Sequence, residues 1–593
     1  MTKENYLTSK LWPALAVIVT ILVFLPSINY QFLTEWDDGY YVSGQHLQIT
    51  LTNICYWLNA VTQKLYTPVS SYSLMIDYNL FANNSTGYHL HNLLLHCGSV
   101  LFFIAIMRQF KISPVIASGI ALLWAIHPQR VPSVVWIAER KDVLVVFFAL
   151  ASFYAFMRAC KKQKFSFASP LLLLLSLGAK PAAVALPIVM LIYACCYHRK
   201  YKAIKWAIPS FATLILYLSW FFYVQSTQAP IQASFNFLQK FWIVPHNIMW
   251  YFSSALIPFQ LNPIYPRLGP LDISYLPLFV GFFLLIALLF VTLITTNRLS
   301  LKLKIYLSIA LFLSWGALFA PISGLLTIGA IDYADRYNYL PSLVIWLMIA
   351  IFFGGQLQKK WIKYDKLQKF IPLAFLLVLF SYWHLTWSYM PVWSNCENLF
   401  FRSVQWQYPN IKAIDILGTV AITDDNPQLL AIASEKYLTI ANAGNKLSLY
   451  PEQIHRANWQ NAGLFLGAYS QFLQGNLKAS FPVFLELEKR VRRKKLSFYE
   501  KNGYIQKFWM ALASCYLEYK QPKKALICLQ NQLFVLKSDS SDALFNKGLA
   551  AFIKKDFASA KKHWEAANKL RPDDEKIIYN INIVKKLLAL KQR

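Results

Sequence analysis

Charged residues are scarce in this 593-residue chain, and acidic residues are the scarcest of them. Only 15% of the residues are charged, whereas 56% are hydrophobic and 16% are aromatic. A soluble protein carries about a quarter charged residues, so this deficit excludes a single large water-soluble domain. The 28 acidic residues face 58 lysines and arginines, which gives a formal net charge of +30. Such a surplus indicates an anionic partner or loops retained on the cytoplasmic side of a membrane.

Paired cysteines, a nucleic-acid-binding motif and a signal-peptide cleavage site are also missing. The eight cysteines show no paired spacing and lie mostly in apolar runs, which predicts buried thiols. The basic stretch KRVRRKK at 489–495 has no nucleic-acid module around it, so we expect no nucleic-acid partner. The first apolar run continues without a small-residue cleavage site, which predicts a retained signal anchor.

Long hydrophobic runs are what the sequence does contain. Stretches long enough to cross about 30 Å of hydrocarbon recur from Leu11 to near Met390. The sequence after Met390 mixes polar and apolar residues with helical periodicity. We therefore predict an all-α protein with two parts. Residues 1–391 form a polytopic helical membrane domain, and residues 392–593 form a helical domain outside the membrane.

Clusters of lysine and arginine between the apolar runs predict the cytoplasmic loops, because positive charge is retained on that side. An apolar segment at 236–260 is interpreted as interfacial or re-entrant, since a crossing there would place Lys302 and Lys304 outside. The N-terminus is then cytoplasmic, and the second domain is periplasmic in a bacterial inner membrane or lumenal in the endoplasmic reticulum. About eleven spans are predicted, near 11–30, 88–107, 114–127, 142–158, 168–180, 182–197, 206–224, 274–296, 304–322, 339–356 and 370–390.

A repeat pattern occupies the second part. Residues 541–574 fit the 34-residue tetratricopeptide pattern, with small residues Gly548 and Ala560 at helix contacts and Pro572 after the second helix. Looser units lie at about 460–490 and 506–540, and the helical stretch at 393–409 is expected to begin the same array. Stacked helix pairs of this kind form an α-solenoid whose groove binds protein or peptide.

The predicted topology gathers polar residues on one side of the membrane. A carboxylate there can act as a base on a hydroxyl group, while arginine and lysine bind phosphate. The arrangement suits a substrate with a phosphate head and a lipid tail. The residues are Glu35, Asp37, Asp38, His127, Arg130, Glu139, Arg140, Lys141, Asp142, Lys180, Tyr265, Arg267, Asp335, Arg336 and Tyr337.

Five segments along the chain resemble, in order, a group of GT-C glycosyltransferases. This group is typified by the transmembrane-and-tetratricopeptide-repeat protein O-mannosyltransferases and their bacterial relatives. The resemblance covers most of residues 31–345, and the repeats behind it match the group's layout. The segments are WDDGYYV, YTPVSSYSLMIDYNLFANNSTGYHLHNLLLHCGSVLFF, ALLWAIHPQRVPSVVWIAERKDVL, AKPAAVALPIVMLI and DRYNYLPS.

The resemblance implies a GT-C membrane fold, a polyprenyl- or dolichyl-phosphate sugar as donor, and an acidic pair in catalysis. Carried over by position, Asp37 is the candidate base with Asp38 beside it. The implied donor-phosphate residues are Arg140, Lys141, Lys180 and Arg336; further candidates are Glu139, Arg130, His89, Tyr265 and Arg267. Relatives usually carry an acid where this chain has Pro132, so the role of that acid is lost here or moved to Glu139.

Each site also has a structural interpretation. The carboxylate pair could cap a helix, and the ERKD sequence could direct its charges to the membrane interface. Lys180 has no acid near it in sequence, and a buried, unpaired cation is costly, which favours an anionic ligand. His89 and His96 share a helix face, where packing or hydrogen bonding is favoured over metal ligation. Arg336 and Asp335 could form an ion pair.

The leading hypothesis is an inverting membrane glycosyltransferase. It transfers a sugar from a polyprenyl-phosphate donor to a protein Ser/Thr hydroxyl, and the repeats bind the protein acceptor. One alternative keeps this chemistry but acts on an envelope lipid or polysaccharide. A second alternative is a non-catalytic membrane anchor for a tetratricopeptide scaffold. No cofactor is certain, and a divalent metal is possible.

Overall fold

The computed structural model describes the chain as helices joined by short turns, and its described residues contain no strand. The described residues are 3–44, 46–63, 65–198, 201–228, 237–258, 261–265, 281, 283, 301–325, 333–357, 365–405, 410–442, 453–492, 504–535 and 540–591. The chain divides into two compact units, Met1–Ser403 and Val404–Arg593. The predicted all-α class is confirmed.

The first unit contains sixteen described α-helices. They are α1 (Lys3–Phe24), α2 (Gly39–Val42), α3 (Leu51–Trp57), α4 (Pro68–Phe81), α5 (Ser85–Gln109), α6 (Pro114–Ala125), α7 (Val131–Val135), α8 (Arg140–Lys162), α9 (Ala168–Ala179), α10 (Leu186–His198), α11 (Ile208–Gln228), α12 (Phe237–Ser254), α13 (Leu301–Phe319), α14 (Ser342–Leu357), α15 (Asp365–Tyr389) and α16 (Cys396–Ser403).

Among the residues of this unit that the structure describes, six apolar segments are long enough to cross a membrane, so the protein is an integral membrane protein. They lie at Lys10–Asn29, Ser85–Gln109, Ile137–Lys162, Ala203–Gln228, Ile305–Ile322 and Phe370–Trp393. Four other predicted spans coincide with shorter apolar helices of 10–17 residues. At 1.5 Å per residue those helices do not each cover about 30 Å of hydrocarbon, so the count of about eleven crossings stays a prediction. The span near 274–296 lies outside the described residues, and α12 covers part of the segment predicted to be interfacial.

A continuously buried segment runs through the centre of the first unit. Every residue from 121 to 140 is buried, although 126–139 contains only short 3-10 turns and the five-residue α7. Buried backbone without a regular helix must find hydrogen-bond partners elsewhere. Here Asp38 accepts from Ala138 N, and Asn92 donates to the Trp136 carbonyl. The segment is therefore held in place by side chains from distant parts of the chain.

Three tryptophan rings pack beside this segment. The rings of Trp36 and Trp136 lie 4.2 Å apart, and Trp393 lies 5.7 Å from Trp136. All three side chains are buried. Aromatic pairs at these distances add stabilisation beyond the area that they bury. The rings thus fix the loop after α1 against the segment that leads into α8.

The second unit is a succession of packed helix pairs. Its helices are α17 (Ile411–Thr423), α18 (Pro427–Asn442), α19 (Gln453–Leu473), α20 (Leu477–Arg492), α21 (Tyr504–Glu518), α22 (Pro522–Val535), α23 (Ser541–Ile553), α24 (Phe557–Leu570) and α25 (Glu575–Lys591). The three predicted repeats coincide with the pairs α19/α20, α21/α22 and α23/α24. A Cβ at Gly548 would lie 2.4 Å from Trp564 Nε1, so only glycine fits that contact. Helix α16 belongs to the first unit rather than to the array, because the division falls after Ser403.

Candidate active site

Asp38 is a buried carboxylate that holds the loop after α1. Its side chain is 1% exposed; Oδ2 accepts from Leu33 N and Oδ1 from Ala138 N, both at 2.8 Å. Burial raises the pKa of Asp38 to about 7, although the two N–H donors act in the opposite direction. Both carboxylate oxygens are thus used inside the protein. The arrangement indicates a positioning role for Asp38.

Asp37 has the opposite environment. It is half-buried, and its side chain forms no hydrogen bond or ion pair with the part of the chain that the structure describes. Its charge acts on Lys141 and Arg336, so it lies close to two cations without being bound to either. A carboxylate with free oxygens beside cations is suited to accept a proton from an incoming group.

Three cations surround Glu139. Its Oε1 lies 3.0 Å from Arg336 Nε and 3.4 Å from Lys141 Nζ, and its Oε2 lies 3.5 Å from Lys180 Nζ. Lys180 Nζ also lies 2.5 Å from Asp142 Oδ1. We refer to Lys141, Lys180 and Arg336 as the cation cluster. It combines Lys141 from the first turn of α8, Lys180 from the α9/α10 junction and Arg336 from the turn before α14.

The cation cluster has more N–H donors than its contacts with carboxylates use. The side chain of Lys141 is 13% exposed, that of Lys180 is 14% exposed and that of Arg336 is 6% exposed, while the side chain of Glu139 is 2% exposed. An ammonium group has three N–H donors and a guanidinium has five, more than the contacts to Glu139 and Asp142 use. Aromatic rings of Trp136 and Tyr337 lie 5.0–5.7 Å from the cations. The cluster can therefore bind a further anion.

Arg140 lies next to Lys141 in sequence but in a closed network. Its Nη2 donates to Asp77 Oδ2 at 2.6 Å and to the Tyr88 carbonyl at 2.9 Å. The other donors reach Asn92, Ser73 Oγ at 2.9 Å and His91 Nδ1 at 2.8 Å. At least four of its five N–H groups are used and the side chain is completely buried, so no accessible donor remains for a phosphate. These contacts favour a structural role for Arg140 over the expected role in binding the donor phosphate.

A second buried network contains Arg130, Gln129, Asp335 and Tyr265. Arg130 donates to Ser342 Oγ at 3.1 Å and to Gln129 Oε1 at 3.3 Å, and its guanidinium lies over the Tyr339 ring. Asp335 accepts from Tyr265 OH at 3.0 Å, and burial raises its pKa to about 7. Arg130 is completely enclosed and Tyr265 bonds to Asp335, which indicates that both support the site.

The histidines serve helix packing. His89 Nε2 lies 3.2 Å from the Tyr30 carbonyl, and His96 bonds to the Ala125 carbonyl and the Tyr339 hydroxyl. Within the described residues no group of three or more His, Cys, Asp or Glu side chains could hold a metal ion. These contacts agree with the favoured interpretation of His89 and His96, which is hydrogen bonding between parts of the fold.

Two expectations about individual cations change in the structure. Lys180 is not an unpaired buried cation, since Asp142 and Glu139 come from a distant part of the chain to pair with it. Arg336 pairs with Glu139 instead of Asp335. The fold therefore explains the burial of both without requiring a ligand. Arg267 lies outside the described residues.

Asp77 is the residue of this region that the sequence analysis missed. It is fully buried in α4, and its Oδ1 lies 2.8 Å from His91 Nδ1 while Oδ2 binds Arg140. A signal for it existed, because an acidic residue inside an apolar helix requires a partner. Trp136 and Gln129 were also missed, because their importance depends on contacts between distant segments.

An apolar cavity of about 390 Å³ lies between α5, α8, α10, α13 and α14. Phe103, Leu150, Tyr193, Leu311 and Leu343 are among its lining residues. Leu186 and Leu340 also line it, only a few residues after Lys180 and Arg336. An apolar space of this size can take a hydrocarbon chain.

Comparison with curated proteins finds similarity to protein O-mannosyl-transferases. The chain is 26% identical over 159 residues to protein O-mannosyl-transferase F38B6.6 of Caenorhabditis elegans, which covers 26% of this chain and 23% of that protein. It is 27% identical over 176 residues to human TMTC4, covering 26% and 24%. It is 33% identical over 126 residues to mouse TMTC1, covering 20% and 13%. The similarity inferred from the ordered motifs is confirmed, over about a quarter or less of each relative's length.

No family model matches the chain. Among solved structures, ArnT from Cupriavidus metallidurans is similar in its apo state, with 14% sequence identity and a TM-score of 0.34 over 89% of this chain and 81% of that chain. The same protein bound to undecaprenyl phosphate gives a TM-score of 0.33 at the same coverage. Values this low do not establish a shared fold.

Proposed function

We propose that this protein is a GT-C-type membrane glycosyltransferase that uses a polyprenyl-phosphate sugar and acts on a protein Ser/Thr hydroxyl. The observation that carries the proposal is the environment of Asp37. This half-buried carboxylate has no partner among the described side chains and lies beside Lys141 and Arg336. A base and an anion-binding group are the two functions that hydroxyl attack on a phosphate-linked sugar requires.

Asp37 acts as the general base in this proposal. It removes the proton from the acceptor hydroxyl while the oxygen attacks the anomeric carbon of the sugar. The bond from that carbon to the phosphate oxygen breaks, and its electron pair remains on the lipid phosphate. Attack from the side opposite the leaving group inverts the anomeric centre. Asp38, bonded through both oxygens, holds the loop that carries Asp37.

The cation cluster stabilises the phosphate that leaves. Lys141, Lys180 and Arg336 retain unused donors and are partly accessible, which Arg140 and Arg130 are not. Fixed cations in a site of low water content stabilise developing negative charge more strongly than they would in water. The phosphate role is therefore assigned to these three residues, and the apolar cavity is assigned to part of the lipid tail.

The acceptor is proposed to be a protein. The relatives are named protein O-mannosyl-transferases, which makes mannose the first sugar to test. The second unit consists of helix pairs, an architecture that presents grooves to peptides. We place the N-terminus in the cytoplasm and the loop of Asp37, together with the second unit, on the outer side of a bacterial inner membrane.

The test is intact-mass measurement of exported proteins from cells that carry wild type, Asp37→Asn or Glu35→Gln. Glu35→Gln is the matched control, because Glu35 is an exposed carboxylate in the same loop. We expect Asp37→Asn to insert normally and to lower product formation by at least about 100-fold, the scale of a lost general base. Exported proteins from cells that carry Asp37→Asn should then be lighter than those from wild-type cells by the mass of one sugar.

Full product formation by Asp37→Asn would reject the mechanism. A sugar lost from an envelope lipid instead of from proteins would keep the mechanism and reject the protein acceptor.

A further inference from the structure

We infer that Glu139 is an internal anion that occupies the phosphate position of the cation cluster and is displaced by the lipid phosphate. The inference rests on the proposed function and adds a residue that controls donor binding and product release. Glu139 holds the three cations together while the site is empty. It returns to them when the lipid phosphate leaves.

The first support is the number of cations that share one carboxylate. Lys141, Lys180 and Arg336 all contact Glu139, through both of its oxygens. The lipid phosphate that the transfer releases is a monoester, which offers three oxygens to the same donors and carries more charge than a carboxylate. The group that these cations would bind most strongly is therefore a phosphate in the place of Glu139.

The second support is the looseness of the contacts. The ammonium groups of Lys141 and Lys180 lie 3.4 and 3.5 Å from Glu139, longer than the roughly 2.7–2.9 Å of a strong charge-assisted hydrogen bond. Lys180 is held more closely by Asp142, at 2.5 Å, and Asp142 also accepts from Ser133 Oγ. Asp142 is thus the permanent partner of Lys180, and Glu139 is the exchangeable one.

The third support is the position of Glu139 in the chain. It is the last residue of a short 3-10 turn, and α8 begins at the next residue. Its neighbours on both sides are anchored, Ala138 by Asp38 and Arg140 by Asp77. A side-chain rotation can therefore move the carboxylate while the backbone stays in place.

The experiment measures binding of undecaprenyl phosphate to the full-length protein in detergent, without any transfer reaction. The variants are Glu139→Gln, Glu139→Asp and the control Glu397→Gln, an exposed carboxylate of the same unit. We expect Glu139→Gln to lower the Kd about tenfold, because the competing charge is gone. Its melting temperature without ligand should fall, since the cations then repel each other, while the increase caused by the ligand should be larger than in wild type.

Glu139→Asp separates exchange from simple repulsion. It keeps the charge but shortens the side chain by one methylene, so its carboxylate reaches the three cations less well. If Glu139 exchanges with the phosphate, the Kd of Glu139→Asp should lie between those of wild type and Glu139→Gln. If the charge of Glu139 only repels the phosphate, the Kd should equal that of wild type, and this result would overturn the inference. A Kd of Glu139→Gln equal to or above that of wild type would also overturn it. Absence of binding in the wild type would instead reject the proposed donor class.

Discussion

Arg140 and Lys141 are neighbours in the chain, yet they belong to two different kinds of charged network. Arg140 is fully enclosed, and at least four of its five N–H groups donate to protein atoms around Asp77. Lys141 is 13% exposed, and its ion pair with Glu139 is 3.4 Å long. The Arg140 network is saturated, whereas the cation cluster has donors to spare.

This difference shows which buried charges stabilise the fold and which are available to bind a substrate. A saturated ion pair in a low-dielectric interior cannot release a donor without leaving an uncompensated charge behind. A cluster of three cations that share Glu139 can exchange this carboxylate for another anion and remain neutralised. Donor count and exposure, more than residue type, thus separate the two networks.

Breaking the saturated network should give the largest effect. Arg140→Ala leaves Asp77 buried with only His91 beside it, and we expect a loss of about 3–5 kcal/mol in the free energy of unfolding. Thermal unfolding of the detergent-solubilised protein measures this loss. Asp77→Asn should behave similarly, because Arg140 then lacks its carboxylate. A folded Arg140→Ala with normal stability and weaker donor binding would contradict the assignment of Arg140 to the fold.

Removing a member of the cation cluster should leave the fold intact and weaken donor binding. Lys141→Ala leaves Glu139 paired with Lys180 and Arg336, so we expect a smaller loss of stability than for Arg140→Ala. The Kd for undecaprenyl phosphate should rise about tenfold, the scale of one lost charge contact to a bound anion. Lys164→Ala, at an exposed position, is the control and should change neither quantity. Unchanged binding in Lys141→Ala would remove this residue from the phosphate site.

The pH response of Asp38 tests the buried carboxylate of the loop after α1. Its folded pKa of about 7 lies above its ordinary value of 3.8, so the folded state binds the proton more tightly than the unfolded state. The stability linked to this proton is fully present below pH 3.8 and is lost as the pH rises through about 7. Asp38→Asn should flatten the part of the stability–pH curve between those values. Asp335 titrates in the same window, so the curve should become flatter but not flat.

The membrane helices were the most predictable part of the fold. Runs such as residues 11–30 and 88–107 are predominantly apolar, and burial in hydrocarbon depends on composition more than on neighbours. The charge-based topology, by contrast, places loops on a side of the membrane without stating which side chains meet. Lys180 shows the limit, because its carboxylate partners precede it by about forty residues.

The sequence by itself determined the helical class, the apolar spans, the helix pairs of the second unit and the stretch that contains Asp37, Glu139 and the cation cluster. Local periodicity and hydrophobicity are sufficient for the helical class, the spans and the helix pairs, whereas the candidate site residues were implied by the charge-based topology and the resemblance. The tertiary structure alone decided that Asp38 is bonded through both oxygens while Asp37 is free, and that Arg140 is saturated while Lys141 is available. These distinctions depend on Leu33, Ala138 and Asp77, whose positions relative to each charge are fixed only when distant segments pack together.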